Sequence, residues 1–349
     1  MIRSAAILSA LALLACKAPS NGDARVAFLL STLQEERYQK DKRYFEERAA
    51  ELGLDVMALA ADNDNARQVA QVEDALTRGA KVIVVQPTDS AAASAYLRMA
   101  HQQGARVVAY DRAIYSKDLD FYVSHDSYQV GVLQAKAALE ATDGRGTYVI
   151  LAGQAGHSVA SEITRGYKDT LRAYLDRGDI SIVSEQHHSA WSPEQALKTV
   201  EDAISRSGGR IDAILANNSG MARGAVQAVA AAGLRDVFIA GADADAANVN
   251  FVCQGKQTVE VLKDIAPLAR TAAEVAAALV RGEDVAGAQT MELGGGQVPV
   301  AAVRVALVTP ETVKELVVGT GFLGASDLPG CADRLALGVA LGTDEKQEQ

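Results

Sequence analysis

Several apolar runs in this sequence end on side chains equipped for hydrogen bonding. VVAYDR (107–112) ends on Asp111-Arg112, and DAILANN (212–218) ends on Asn217-Asn218. VFIAGADAD (237–245) carries Asp243 and Asp245, TVEVLK (258–263) ends on Lys263, and YVILAG (148–153) runs into Gln154. An ionised carboxylate only accepts, Arg and Lys only donate, and an amide does both. Together they suit a ligand covered in hydroxyls, and the charged members make the stronger bonds. A single Asp, Asn or Ser at such a place is more often a helix cap or turn former. Ser219, Asp62, Asp89 and Asp245 are read that way.

The elements that must position these residues follow a regular rhythm. VAFLL (26–30), VMALA (56–60), VIVVQP (82–87) and VVAYDR (107–112) alternate with helical segments, and FYVSHD (121–126) follows. After a helix at about 128–141 the rhythm restarts with YVILAG, ISIVSEQ (180–186), DAILANN, VFIAGADAD and TVEVLK. A long Ala-rich helix (267–280), an extended run VAAVRVALVTP (300–310) and a helix at 311–318 close the pattern. Short continuous apolar strands separated by helices are the pattern of parallel sheets buried on both faces. The fold class expected is α/β, with two doubly wound parallel-sheet domains. In such sheets ligands bind beyond the carboxyl ends of the strands, so the strand endings are the candidate site.

Length and composition agree with two globular domains: 349 residues, 49% hydrophobic and 22% charged. A net charge of −10 argues against a nucleic-acid partner, which would want a basic face. The basic run KDKR (40–43) lies among Glu35, Glu36, Glu46 and Glu47 and reads as a solvated helix face. Aromatic residues make up only 5%, which gives weight to the single Trp, Trp191.

MIRSAAILSALALLAC (1–16) has one positive charge followed by an apolar stretch too short to span a bilayer, the form of a secretory signal. Leu13-Leu14-Ala15-Cys16 resembles a bacterial lipobox, so Cys16 is expected to carry a lipid anchor in the cell envelope. Residues 16–24 read as a flexible tether and 336–349 as a polar tail. In an exported protein Cys253 and Cys331 could form a disulfide or stay as two buried thiols, and sequence alone leaves both readings open. His187-His188, adjacent on a strand, point to opposite faces and make a poor chelate, so no metal or cofactor is expected. The triplet at 294–296 reads as a loop between a helix and a strand and not as a phosphate cradle.

EERYQKD (35–41), VVAYDRAI (107–114), DFYVSHDSYQVGVLQAKA (120–137), AWSPEQAL (190–197), LANNSGMARGAVQA (215–228), GADADAANV (241–249) and VEVLKDI (259–265) occur in an order that resembles one family. It is the ribose class of type I periplasmic sugar-binding proteins, and within it the D-xylose binders of ABC transporters. The resemblance implies two α/β domains joined by strand crossovers, with residues 25–123 and 266–300 in the first and 124–265 and 301–335 in the second. It also implies ligand contacts from Arg37, Tyr38, Asp111 and Arg112 in the first domain. Trp191, Asn218 and Asp243 would face them from the second, with Lys263 on a crossover strand.

The side-chain chemistry is compatible with that placement. Tyr38 and Trp191 can cover the C–H faces of a pyranose, and the opposite charges can balance around a neutral ligand. One departure stands out. Where xylose binders have an Asn-rich loop, this chain has Gln154–Val159, so that contact is lost or replaced by His157 or Ser158. Tyr38 stands where those proteins carry Trp.

These residues lead to an expectation of a monomeric, non-enzymatic lipoprotein that binds a monosaccharide and serves an ABC permease. The alternative is a sugar sensor that docks a membrane receptor kinase. A glycosidase pair of Asp111 and Asp243 is disfavoured because Arg112 and Lys263 would keep both ionised, leaving no general acid.

Overall fold

The computed structural model describes residues 25–34 and 36–336; the expected signal segment, Cys16 and most of the polar tail lie outside the described residues. The first half contains β1 (Arg25–Leu30), α1 (Glu36–Glu51), β2 (Asp55–Ala60), α2 (Asn65–Thr77), β3 (Val82–Val85), α3 (Ser94–Gln102), β4 (Arg106–Tyr110) and β5 (Phe121–His125). Then come α4 (Ser127–Ala141), β6 (Gly146–Ala152), α5 (Ser158–Asp176), β7 (Ile180–His187), α6 (Pro193–Arg206), β8 (Ala213–Ala216) and α7 (Ser219–Ala231). The last elements are β9 (Phe238–Ala242), α8 (Ala246–Cys253), β10 (Val259–Leu262), α9 (Ile265–Arg281), β11 (Gln289–Leu293), β12 (Gly296–Val303), β13 (Ala306–Val308) and α10 (Ala332–Ala336).

Two sheets form, in the orders β11-β12-β5-β4-β3-β1-β2 and β13-β10-β9-β8-β6-β7. Both are parallel except at one edge, where β11 and β13 run antiparallel to their neighbours. The expected α/β class with two parallel-sheet domains is therefore present. Helices cover both faces of each sheet. In the first domain α1 and α9 bury Phe45, Leu268 and Ala272 on one face, and α2 and α3 bury Val72 and Tyr96 on the other. In the second domain α4 and α5 pack unusually close. A side chain at Gly131 would come within 2.1 Å of the Ile163 carbonyl, so the contact requires glycine there.

Three passages connect the domains. β5 runs into α4 through Asp126, whose side chain caps the helix by accepting from Gln129. β10 runs into α9 through Lys263 and Asp264, and Asp264 caps α9. β12 leads to β13 through Arg304 and Val305, so the run expected as one strand (300–310) is shared between two sheets. β5 reaches His125 and β12 reaches Val303 before the chain leaves the first sheet. The passages are also bonded to one another: His125 Nε2 lies 2.9 Å from the Asp264 carbonyl, and the Asp126 amide donates to the Val303 carbonyl at 3.2 Å.

Some local expectations change. The glycine triplet forms the turn of the β11–β12 hairpin and so lies between two strands. The helix expected at 311–318 is a short π-helical stretch, Lys314–Val318. Ser219 does not cap α7: Asn218 does, and the Ser219 hydroxyl lies 2.9 Å from both the Ala242 carbonyl and the buried Glu260 carboxylate. Asp62 keeps the expected turn role, with a left-handed backbone and a pairing to Arg67, and Asp64 caps α2. His188 is buried and bonded to the Ala152 carbonyl and Thr199, whereas His187 is exposed. Cys253 and Cys331 are joined as a disulfide, which ties α8 to the last turns of the described chain. Among the described residues no helix is long and apolar enough to cross a membrane.

Candidate functional site

A cavity of about 520 Å³ lies between the domains, at the carboxyl ends of both sheets. That is an ordinary size for a small-ligand site, roughly 300–1,000 Å³. Arg37, Tyr38, Asp111 and Arg112 line it from the first domain, and Trp191, Asn218, Asp243 and Lys263 line it from the second. Eight of the nine residues expected to touch ligand therefore share one cavity; His157 is not in its lining.

Asp111 and Asp243 hold matching positions. Asp111 follows β4, and its amide donates to Val123 of β5 at 2.8 Å; Asp243 follows β9, and its amide donates to Val261 of β10 at 2.9 Å. Both have left-handed backbones, with φ of 60° and 100°. Such a conformation is uncommon in residues other than glycine, Asp and Asn being among those that adopt it most readily, and it is often held in place at ligand sites. The Asp111 turn is held because Tyr122 Oη and Ser124 Oγ both donate to its carbonyl at 2.9 Å. On the other side, Glu260 accepts from the Ala244 amide at 3.1 Å and holds the Asp243 turn.

Between the two carboxylates lie two cations. Arg37, in the first turn of α1, brings Nη2 to 3.4 Å from Asp111 and Nη1 to 3.4 Å from Asp243. Lys263 Nζ lies 3.3 Å from Asp243 and 3.9 Å from Asp111. The four groups alternate in sign, so none of these four charges lacks a counter-charge, as the cost of isolated buried ions requires. Burial works against a charged Arg37, yet Asp111, Asp41 and Asp243 hold its pKa well above the ordinary value. Burial likewise opposes a charged Asp111, but Arg37 and then Lys263 hold its carboxyl well below the usual range.

Arg112 contributes less to holding Asp111 ionised than Arg37 and Lys263 do. Its guanidinium donates to the Pro87 carbonyl at 3.1 Å and to Tyr38 Oη at 3.3 Å, so it braces the aromatic wall. Behind Arg37 sits Asp41, fully buried and hydrogen-bonded by Tyr110. Burial pushes its carboxyl up to about 6, against the pull of Arg37.

Trp191 forms the opposite wall. It follows Ala190 in a tight bend where both residues have left-handed backbones. Its ring lies so close to Gly153 that an added Cβ there would fall 2.4 Å from it. Indole Nε1 donates to His157 Nδ1 at 3.0 Å. His157 is thus corrected from a ligand contact to a group behind the wall, and Ser158 accepts from the Ala113 amide of the first domain at 2.8 Å.

The sequence reading missed Gln34 and Arg223, which also line the cavity. Arg223 Nη1 donates to Asp245 at 2.8 Å and to Asn248 at 2.7 Å. Asp245 is therefore part of the lining as well as the N-cap position of α8. A signal for Arg223 was present: it is the only charged residue in the helix SGMARGAVQAVAA.

The family model described as periplasmic binding protein domain matches residues 26–284. The D-xylose-binding periplasmic protein of Escherichia coli strain K12 is 36% identical over 307 residues, 88% of this chain and 93% of that protein. The protein of the same name from Haemophilus influenzae is 33% identical, over 86% of this chain and 90% of its own length. Among solved structures, an ABC transporter solute-binding protein from Clostridium phytofermentans with bound β-D-glucose aligns with a TM-score of 0.81. The identity is 26%, over 87% of this chain and 99% of that one.

Proposed function

We propose, for a chain that belongs to the periplasmic binding protein family, that it captures a monosaccharide in the interdomain cavity and delivers it to an ABC permease. The ligand is a xylose-like aldopentose or a related pyranose. The protein is a monomer held to the cell envelope by a lipid on Cys16. The relatives named for D-xylose and the neighbour with bound glucose support the ligand class.

The observation that carries the reading is the alternating set Arg37, Asp111, Lys263 and Asp243 in a cavity that Tyr38 and Trp191 also line. Each charge is already compensated, so the set offers strong donors and acceptors without attracting a charged ligand. Sugar hydroxyls can replace the long contacts of 3.3 to 3.9 Å with shorter ones, and the C–H faces of the ring would lie on Tyr38 and Trp191. The site takes groups from both domains, so ligand binds the closed arrangement better than the open one and shifts the population towards it. The same charges disfavour catalysis, since an Asp111 held ionised cannot act as a general acid.

A thermal-shift panel of monosaccharides tests this reading. A sugar at 100 times its dissociation constant adds roughly 2.7 kcal/mol of stability, a shift of several degrees. A panel of pentoses and hexoses that leaves the melting temperature unmoved would overturn it.

A further inference from the structure

His157 is buried, at 4% exposure, at the N-cap position of α5, and each ring nitrogen faces a different partner. Indole Nε1–H can only donate, so His157 Nδ1, 3.0 Å away, must be the bare nitrogen. The Thr88 carbonyl can only accept, so Nε2, at 3.2 Å, must carry the proton. The two bonds independently select the same neutral tautomer. Burial, then the charge of Arg112, lowers the ring to about 3, in keeping with a neutral imidazole.

The two partners belong to different domains. Trp191 is the wall of the second, while Thr88 follows β3 in the first, next to Gln86, which donates to Asp111, and Pro87, which accepts from Arg112. The neighbouring Ser158 crosses to Ala113 in the same way. The bend at Ala190-Trp191 and the face of Gly153 limit the Trp191 ring within its own domain. Among the described residues, the hydrogen bond that links the ring to the opposite domain runs through His157.

We infer that His157 is a positioning residue through which closure of the two domains fixes the ring of Trp191. In the closed arrangement Thr88 holds Nε2–H, the imidazole cannot turn, and Nδ1 is presented to the indole. When the domains part, the Thr88 bond is lost and the imidazole, with the indole on it, is free to reorient. The effect on affinity rests on the sugar-site reading above; the coupling itself does not.

Trp191 is the only tryptophan, so the ¹⁵N-labelled chain gives one indole Nε1–H signal. Closure can be imposed without sugar by a disulfide between Ala113→Cys and Ser158→Cys, at two positions already in contact through the Ala113 backbone amide and the Ser158 hydroxyl, 2.8 Å apart. With His157 present, the indole signal of the locked protein is expected downfield and protected from exchange, and in the unlocked, sugar-free protein shifted and broadened. His157→Ala on the locked background is expected to give the signal of a free indole. His157→Gln, which reaches Thr88 with its amide in place of Nε2, should do the same if the alanine variant folds poorly. An indole signal indifferent to the lock, or to both substitutions within it, would overturn the inference. In the unlocked protein, His157→Gln is expected to weaken sugar binding about tenfold, within the usual range for coupled sites. If the wild type takes up no sugar, the proposed function falls while the indole result still decides this inference.

Discussion

Asp111 and Asp243, from two different sheets, bring carboxylate oxygens to the same guanidinium, each 3.4 Å from Arg37. Their amides are fixed in the same way, to the strand that leaves each domain for the other. Any change in the angle between the domains must therefore change the distance between these acids. That relation links hinge and site.

Asn keeps the shape of Asp and tolerates a left-handed backbone, so Asp111→Asn and Asp243→Asn separate charge from geometry. A hydrogen bond to a charged group contributes roughly 1.5–3 kcal/mol, so each variant is expected to lose about 10- to 100-fold in affinity by titration calorimetry. Asp111→Ala should be worse for the fold. It leaves Arg37 and Lys263 short of a buried partner, and removing one member of such a set costs roughly 3–5 kcal/mol in chemical denaturation.

Gly153→Ala tests the Trp191 wall. The new methyl would lie 2.4 Å from the indole ring, which must move away from the position it holds. An altered Trp191 emission maximum and weaker sugar binding are expected, with the circular dichroism of the fold retained.

How much of this could be read from the sequence depends on the distance between partners. Asp111, Asn218, Asp243 and Lys263 were legible because each ends an apolar strand, and strand ends in open α/β sheets face the ligand side. Lys263, the weakest on chemistry alone, is held at 4% exposure by the two acids. The role of His157 is not legible locally, because its partners, Thr88 and Trp191, lie 69 and 34 residues away. Asp245 was read as a local cap because Arg223, 22 residues earlier, sits inside a helix that otherwise reads as core. The extended run at 300–310 gave no hint that Arg304 divides it between two sheets, since both halves have the apolar composition of a strand.

His125 and His157 each have a folded pKa near 3, lowered mainly by burial, against 6.5 when unfolded. Between those values the unfolded chain binds protons that the folded chain does not, so these groups make stability fall as pH drops from 6.5 towards 3. His157→Gln removes one such group. Its stability should fall less steeply over that window, by roughly 1.4 kcal/mol per pH unit. Melting temperatures of both proteins from pH 7 to pH 4 check the difference.

The Cys253–Cys331 disulfide joins positions 78 residues apart and lies outside the cavity lining. Replacing both with alanine is expected to cost roughly 2–5 kcal/mol in denaturant unfolding. Sugar affinity at 25 °C should stay within about twofold of the parent, a change of under roughly 0.5 kcal/mol.

The central claim is that the cavity is a monosaccharide site closed by both domains. Its most direct test is titration calorimetry of residues 16–349, expressed without the leader, against xylose, ribose, arabinose, glucose, galactose and allose. Saturable one-to-one binding of at least one pyranose, lost or much weakened in Asp243→Asn, is the expected result. The absence of binding by every sugar, or binding that Asp243→Asn leaves intact, would contradict it.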